Sequence, residues 1–318
     1  MIISSLKKFV TLLSNAFGEL KKNDPLRLAA ATAFFTTFAL PPILIILLQL
    51  FGLIFNIDNL GDRFFMRLAE ILGKESTSQI RQTFQGFKAQ AKNWYITVGG
   101  AVFLMFVATT LFKVIKDSLN QLWNIKIDSK RGFKVKMQNR VVSMIIIVLA
   151  GLLFLGSMIT EGVQALLGEY INGLFEGSGY VVKVILNTSV SIVVVTTWFS
   201  ILFKVLPDAK PSWKVVLWGG FFTGILFSIG KIIIRSMLTL GDIHSVFGAS
   251  TSFVILLLFV FYSSFILYFG ACFTKVYAAY INDPIRPADH AFKYELVERK
   301  SEEVLEWSSV RTKPAKKN

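Results

Sequence analysis

The sequence has one cysteine, Cys272, set in an apolar run, so no intrachain disulfide can form and nothing firm follows about redox compartment. Acidic residues are few, 20 Asp and Glu against 34 Lys and Arg, for a net charge of +14. No stretch gathers carboxylates, cysteines and histidines at metal-ligand spacing, and there is no glycine-rich phosphate loop. Charge of either sign is sparse, at 17% of residues. What fills the chain instead is apolar: 53% hydrophobic residues, 30 Phe among them. A 318-residue chain with that balance reads as a membrane protein rather than as two soluble domains.

A spanning helix needs about 20 mostly apolar residues, because lipid offers no partner to backbone polar groups. Six segments qualify, at 28–55, 94–115, 141–166, 181–206, 213–238 and 250–280. The expected fold class is all-α integral membrane, with six transmembrane helices. The first span contains Pro41 and Pro42, which remove two backbone donors and predict a kink or an interruption. Such a break marks some transporter sites and is elsewhere a tolerated bend.

Orientation follows from Lys and Arg. Residues 1–27, 113–140, 204–214 and 275–318 hold 25 of the 34 and would share one side. The opposite side has six in 56–93, together with Lys183, Lys231 and Arg235. The positive-inside bias therefore puts both chain ends in the cytoplasm, with a bilayer bearing anionic headgroups as the partner of the basic segments. Nucleic acid is not expected, since no aromatic-studded recognition module accompanies the charge. The same order separates the two histidines, His244 outside and His290 inside, so no histidine pair is available for acid–base work.

Three regions follow. Residues 1–24 place Leu6, Phe9, Leu13, Phe17 and Leu20 at helical spacing with lysines at both ends, as an amphipathic interfacial helix would. They make a poor signal peptide, having no clean apolar core or convincing cleavage site. Residues 25–280 form the transmembrane domain. Within it the long outer segment 56–93 predicts two short amphipathic helices, LGDRFFMRLAEIL and STSQIRQTFQGFKAQ, the second with Ser76 and Gln79 spaced as a capping box. Residues 281–318 form a charged cytoplasmic tail with a short helix expected around 290–307. The inner connection 116–140 reads as polar and basic.

Four stretches have a familiar order and spacing: AAATAFFTTFALPPILIIL, LNQLWNIK, LPDAKPSWKVVLWGGFFTGILFSIGK and GASTSFVILLLFVFYSSFILYFGACFTKVYA. Together they resemble the YihY/BrkB family of bacterial inner-membrane proteins, across residues 25 to 280. The resemblance implies six spans with both termini inside, a bacterial inner-membrane location and no defined biochemical activity, although the family has carried ribonuclease BN and virulence-factor labels. Where the family reads Gly-Ala-Glu in the sixth span, this chain reads Gly270-Ala271-Cys272.

The residues offer little to an enzyme. Asp117, Asp128 and Asp208 are scattered, the tail acids Glu295, Glu298, Glu302, Glu303 and Glu306 form a solvated pattern, and Cys272 has no histidine near it in sequence. No cofactor or metal is expected. Polar residues inside the spans offer more. The fourth span carries Asn187 with Ser191, and Thr196 with Ser200, each pair one turn apart. Interhelical hydrogen bonding and the lining of a hydrophilic path are both readings of these. Gly220, Gly224 and Ser228 on the fifth span suit close helix packing, as do Ala29, Thr32, Ala33 and Thr36 on the first.

The fifth span also carries Lys231 and Arg235, one turn apart, about 25 and about 31 Å from Lys214 along the axis against a hydrocarbon core of about 30 Å. They are either interface anchors or an anion site, with Glu161 and Asp242 the acids best placed to compensate them. The expected function is a non-enzymatic transporter of an anionic or amphipathic solute, a lipid among the options. A membrane-associated ribonuclease and a scaffold recruiting partners through basic loops are the alternatives.

Overall fold

The computed structural model describes residues 2–55, 60–72, 94–127, 145–153, 178–240 and 250–295, with short helical pieces at 77–78, 80–82, 85–86 and 141–142. Its elements in chain order are α1 (Ile2–Lys21), α2 (Pro25–Phe55), α3 (Leu60–Leu72), α4 (Trp94–Leu122), β1 (Ile125–Ile127), α5 (Ser178–Val205), β2 (Ala209–Lys210), α6 (Trp213–Leu240), α7 (Thr251–Tyr280), β3 (Arg286–Pro287) and β4 (Ala291–Lys293). Helix α7 is the hub: α1, α2, α4 and α6 all pack on it, α2 packs on α4, and α5 packs on α6.

Thr188–Val205 in α5, Trp213–Ile234 in α6 and Phe253–Tyr280 in α7 are long and apolar enough to cross a membrane. At most 39% of the residues in any of these windows are buried inside the protein, and apolar side chains such as Val193, Leu217, Ile232 and Leu258 are exposed, as on helices facing lipid. Helices α2 and α4 cover the first two expected spans, and 145–153 is a helical part of the third.

The expected interruption at Pro41 and Pro42 does not occur, because α2 is continuous through both. Two missing donors are a local loss. Turns on either side keep their bonds, and buried Ala33, Ala39 and Leu44 fix both halves against the protein. Helix α4 runs two turns beyond its apolar segment, to Leu122, since buried Leu119, Leu122 and Trp123 continue the helical period through polar sequence. Where a helix was expected to start near 290, the chain forms β4, antiparallel to β1 with Lys126 opposite Phe292. A second ribbon pairs β2 with β3. Residues 281–295 therefore lie folded against the helix ends.

Helix α1 crosses α7 on aromatic contacts, Phe9 edge-on to Phe273 with centroids 6.4 Å apart and Phe17 edge-on to Phe269 at 6.2 Å. Helix α3 matches the first of the two expected short amphipathic segments, and Arg81 of the next helical piece reaches Asp62 at 2.5 Å across the Phe65 ring. Ser76 and Gln79 lie outside the described residues.

Small residues set the spacing of the last three helices. On α6 and α7 the arrangement is reciprocal. A Cβ on Gly219 would strike the Thr274 side chain, and one on Gly270 would strike that of Thr223. Each threonine hydroxyl donates to the carbonyl of the glycine one turn earlier on its own helix, Thr223 to Gly219 at 2.6 Å and Thr274 to Gly270 at 2.7 Å. Both hydroxyls are thus satisfied inside a dry seam. Ala271 and Cys272, within the departure from the family pattern, are fully buried beside it. Tyr268 and Thr32 share a hydrogen bond, and the Trp123 indole N–H donates to the Ala271 carbonyl at 3.0 Å, which ties α2 and α4 to α7.

Candidate functional site

The basic end of the bundle is where α1, α4 and α7 stop. Each is followed by an Asx residue in the left-handed region, Asp24 (φ 49°), Asn124 (φ 58°) and Asn282 (φ 57°). After α7 the N–H groups of Asn282 and Asp283 bond to the carbonyls of Ala279 and Ala278, at 3.2 and 2.9 Å, closing a Schellman turn that sends the chain back across this end.

What the returning chain meets is a buried ionic cluster. Asp208, 3% exposed between α5 and β2, accepts the Lys116 ammonium of α4 on Oδ1 at 2.7 Å and the Asn120 amide on Oδ2 at 2.8 Å. Its own N–H donates to the Asn120 Oδ1 at 2.9 Å, and its carbonyl accepts the Ala288 N–H at 2.9 Å. His290 adds Nε2 to Oδ1 at 2.6 Å. Burial alone would raise the Asp208 carboxyl, but hydrogen bonds from His290, Lys116 and Asn120 outweigh it and hold the group below the ordinary carboxylate range. One carboxylate thus joins α4, the α5–α6 connection and the segment between β3 and β4.

A second hub lies nearby. The Lys275 ammonium of α7 donates to Glu19 of α1 at 2.6 Å, to the Leu122 carbonyl at 3.0 Å and to Asn124 Oδ1 at 2.9 Å, using all three protons. Burial pushes the Glu19 carboxyl up, and bonds from Lys275 and Lys22 bring it net below its usual value. Lys204 of α5 donates to the Pro211 carbonyl at 2.5 Å and lies over the Trp213 ring. Each of these charged groups has at least one partner within the protein. The His290 Nε2 is already on a carboxylate, and among the described residues no three His, Cys, Asp or Glu side chains gather as a metal site.

The residues singled out for solute handling lie elsewhere, Thr196 and Ser200 in the basic half of α5 and Lys231 and Arg235 farther along α6. Lys231 is half-buried on α6 and engaged by a neighbour, and Arg235 follows one turn on. Glu161, Asp242 and His244 lie outside the described residues. Thr196 and Ser200 face α6: a Cβ on Gly224 would come within 2.9 Å of Thr196 Oγ1, and one on Gly220 within 2.8 Å of the Thr196 carbonyl. Ser200 donates to the Thr196 carbonyl at 2.7 Å and approaches that of Val216 at 3.2 Å. The Thr196 hydroxyl is buried with no hydrogen-bond partner among the described residues. Asn187 and Ser191 fall nearly half a turn away, on the other side of α5.

Sequence reasoning treated Asp208, His290 and the acids as separate and did not bring in Lys116 or Asn120. The one available signal was the α4 extension. Continuing the helical period past Lys116 puts Lys116 and Asn120 on one face, next to the buried Leu119 and Trp123.

The chain resembles membrane proteins of several bacteria. A UPF0761 membrane protein of Saccharophagus degradans is 24% identical over 86% of this chain and 62% of its own length. One from Janthinobacterium sp. is 28% identical over 78% of this chain and 55% of its own. One from Haemophilus influenzae is 25% identical over 84% of this chain and 94% of its own. The chain spans about 60% of the length of the first of these relatives. No solved structure matches it. The family described as virulence factor BrkB matches residues 16–293, from within α1 to the last residue of β4, and so takes in the Asp208 cluster and the returning segment together. The chain is a membrane protein and belongs to the virulence factor BrkB family.

Proposed function

We propose that this protein is a non-enzymatic, six-span bacterial inner-membrane protein, with both ends in the cytoplasm, that moves an anionic or amphipathic solute of the lipid class. The observation carrying this reading is Lys231. It is a cation held half-buried about 25 Å along α6, among outward-facing Ile229, Ile232 and Ile233. A charge at that depth between apolar surfaces suits a molecule that has a charged head and a hydrocarbon body. The basic end supports the orientation. There α1 exposes Phe9, Val10 and Phe17, with Lys21 over the Phe17 ring, in the manner of a helix at a leaflet of anionic headgroups. The ribonuclease alternative is less supported, since the described histidine is committed to Asp208.

The test is reconstitution of the full chain into vesicles of phosphatidylcholine with fluorescent phosphatidylglycerol, measuring movement of the labelled lipid between leaflets. Lys231→Gln is expected to abolish the movement while leaving the amount of folded protein unchanged. Equal loss of folded protein would mark Lys231 as an anchor. Metal-dependent RNA cleavage by the purified protein, lost on replacing a carboxylate on the basic side, would establish the enzyme instead.

A further inference from the structure

Helices α5 and α6 form an antiparallel hairpin whose register is fixed at two points, Ser200 on Gly220 and Thr196 on Gly224. There the backbones lie too close to admit a Cβ, and Ser200 is buried at 2% exposure. Extended outward at the same rise per residue, that register would set Ile192 level with Ser228 and Ser189 level with Lys231. The surroundings change along this line. Ser189 and its neighbour Thr188 are exposed, and Lys231 is only half-buried. Among the described residues the hairpin is therefore close-packed at its basic half and less covered at its far half.

Two further observations make this more than a small-residue contact. The Thr196 hydroxyl sits at the closed end, buried and without a hydrogen-bond partner among the described residues, so the seam contains a polar group that nothing described in the protein satisfies. The open end pairs a cation and two hydroxyl residues with apolar walls, Val193 on α5 and Ile232 on α6 being 62% and 65% exposed. A soluble anion has no use for such walls at membrane depth. A phosphodiester headgroup with acyl chains fits both, with the phosphate at Lys231 and Ser189 and the chains along the isoleucine face.

We propose that the open fork between α5 and α6 is the docking site for the headgroup of an anionic phospholipid of the outer leaflet, and that the headgroup advances inward by parting the seam at Ile192 and Ser228. This rests on the transport reading and adds to it the route and the class of cargo. Thr196 is the next polar group a headgroup would reach, and Ser228, whose hydroxyl is bonded to the Gly224 carbonyl at 2.8 Å, lies on the way.

The test uses the full chain with Ile192→Cys and Ser228→Cys in a Cys272→Ala background, reconstituted in phosphatidylcholine vesicles with labelled phosphatidylglycerol. Oxidation is expected to cross-link the pair and slow lipid movement at least tenfold, and reductant to restore it, while Lys231→Arg keeps the activity that Lys231→Gln loses. If the pair fails to cross-link, the register is wrong and the proposal falls. If the cross-linked protein moves lipid as fast as the reduced one, the route is overturned while the transport reading stands. If the reduced protein moves no lipid, the transport reading falls with it. Movement of entrapped inorganic phosphate without lipid would overturn the lipid assignment alone.

Discussion

Removal of the Asp208 carboxylate would take from the Lys116 ammonium, 7% exposed, the carboxylate it bonds at 2.7 Å and an acceptor from both Asn120 and His290. Breaking one side of a buried pair costs about 3–5 kcal/mol, so Asp208→Ala is expected to lower the melting temperature of the detergent-solubilised protein far more than a surface change does. The folded carboxyl is held below its ordinary value of 3.8, so its stabilisation is complete above that pH and is lost as the pH falls from there toward the folded value. Melting curves of the wild type and Asp208→Asn should accordingly converge as the pH drops below about 3.8, and a constant gap would refute the assignment. Of this cluster the sequence showed only the ingredients. Asp208 and His290 stand 82 positions apart, and neither has a local pattern that names the other.

At the scale of elements, two glycines separate packing from propensity. A Cβ at Gly18 of α1 meets nothing within 4 Å, so Gly18→Ala should stabilise by up to about 1 kcal/mol through helix propensity. The same change at Gly219 drives a methyl into Thr274 and should destabilise by about 1–3 kcal/mol despite the better propensity. Thermal unfolding that moved both variants in the same direction would undo the reciprocal α6–α7 contact. Elements of this kind were legible because their signal is periodic. The segments at 181–206, 213–238 and 250–280 correspond to Ser178–Val205, Trp213–Leu240 and Thr251–Tyr280 within a few residues, and LGDRFFMRLAEIL is α3. The ribbons were not legible. Three residues such as Ile125–Ile127 are too few to show an alternation, and they find Ala291–Lys293 only because the Schellman turn at Asn282 aims the chain at them.

For the whole molecule, the proposed topology puts α3 and its partner outside and the ribbons inside. In a Cys272→Ala background, Gln82→Cys should react with an impermeant maleimide in intact spheroplasts, and Asp289→Cys, whose parent side chain is 86% exposed, only after permeabilisation. The reverse pattern would invert the protein and move Lys231 to the inner leaflet. This proposed orientation rests on the charge count of the sequence. The seam between α5 and α6 the sequence could not carry, because helical spacing places Thr196 with Ser200 but says nothing of which neighbour they touch. The way the basic end is fastened also bears on biosynthesis. Asp208 emerges from the ribosome 82 residues ahead of His290, an interval of roughly 4–16 s at ordinary elongation rates. Until then the nascent chain must hold a charged, unclosed hub at the membrane surface, so the last fastening can take place only once α6 and α7 have been synthesised.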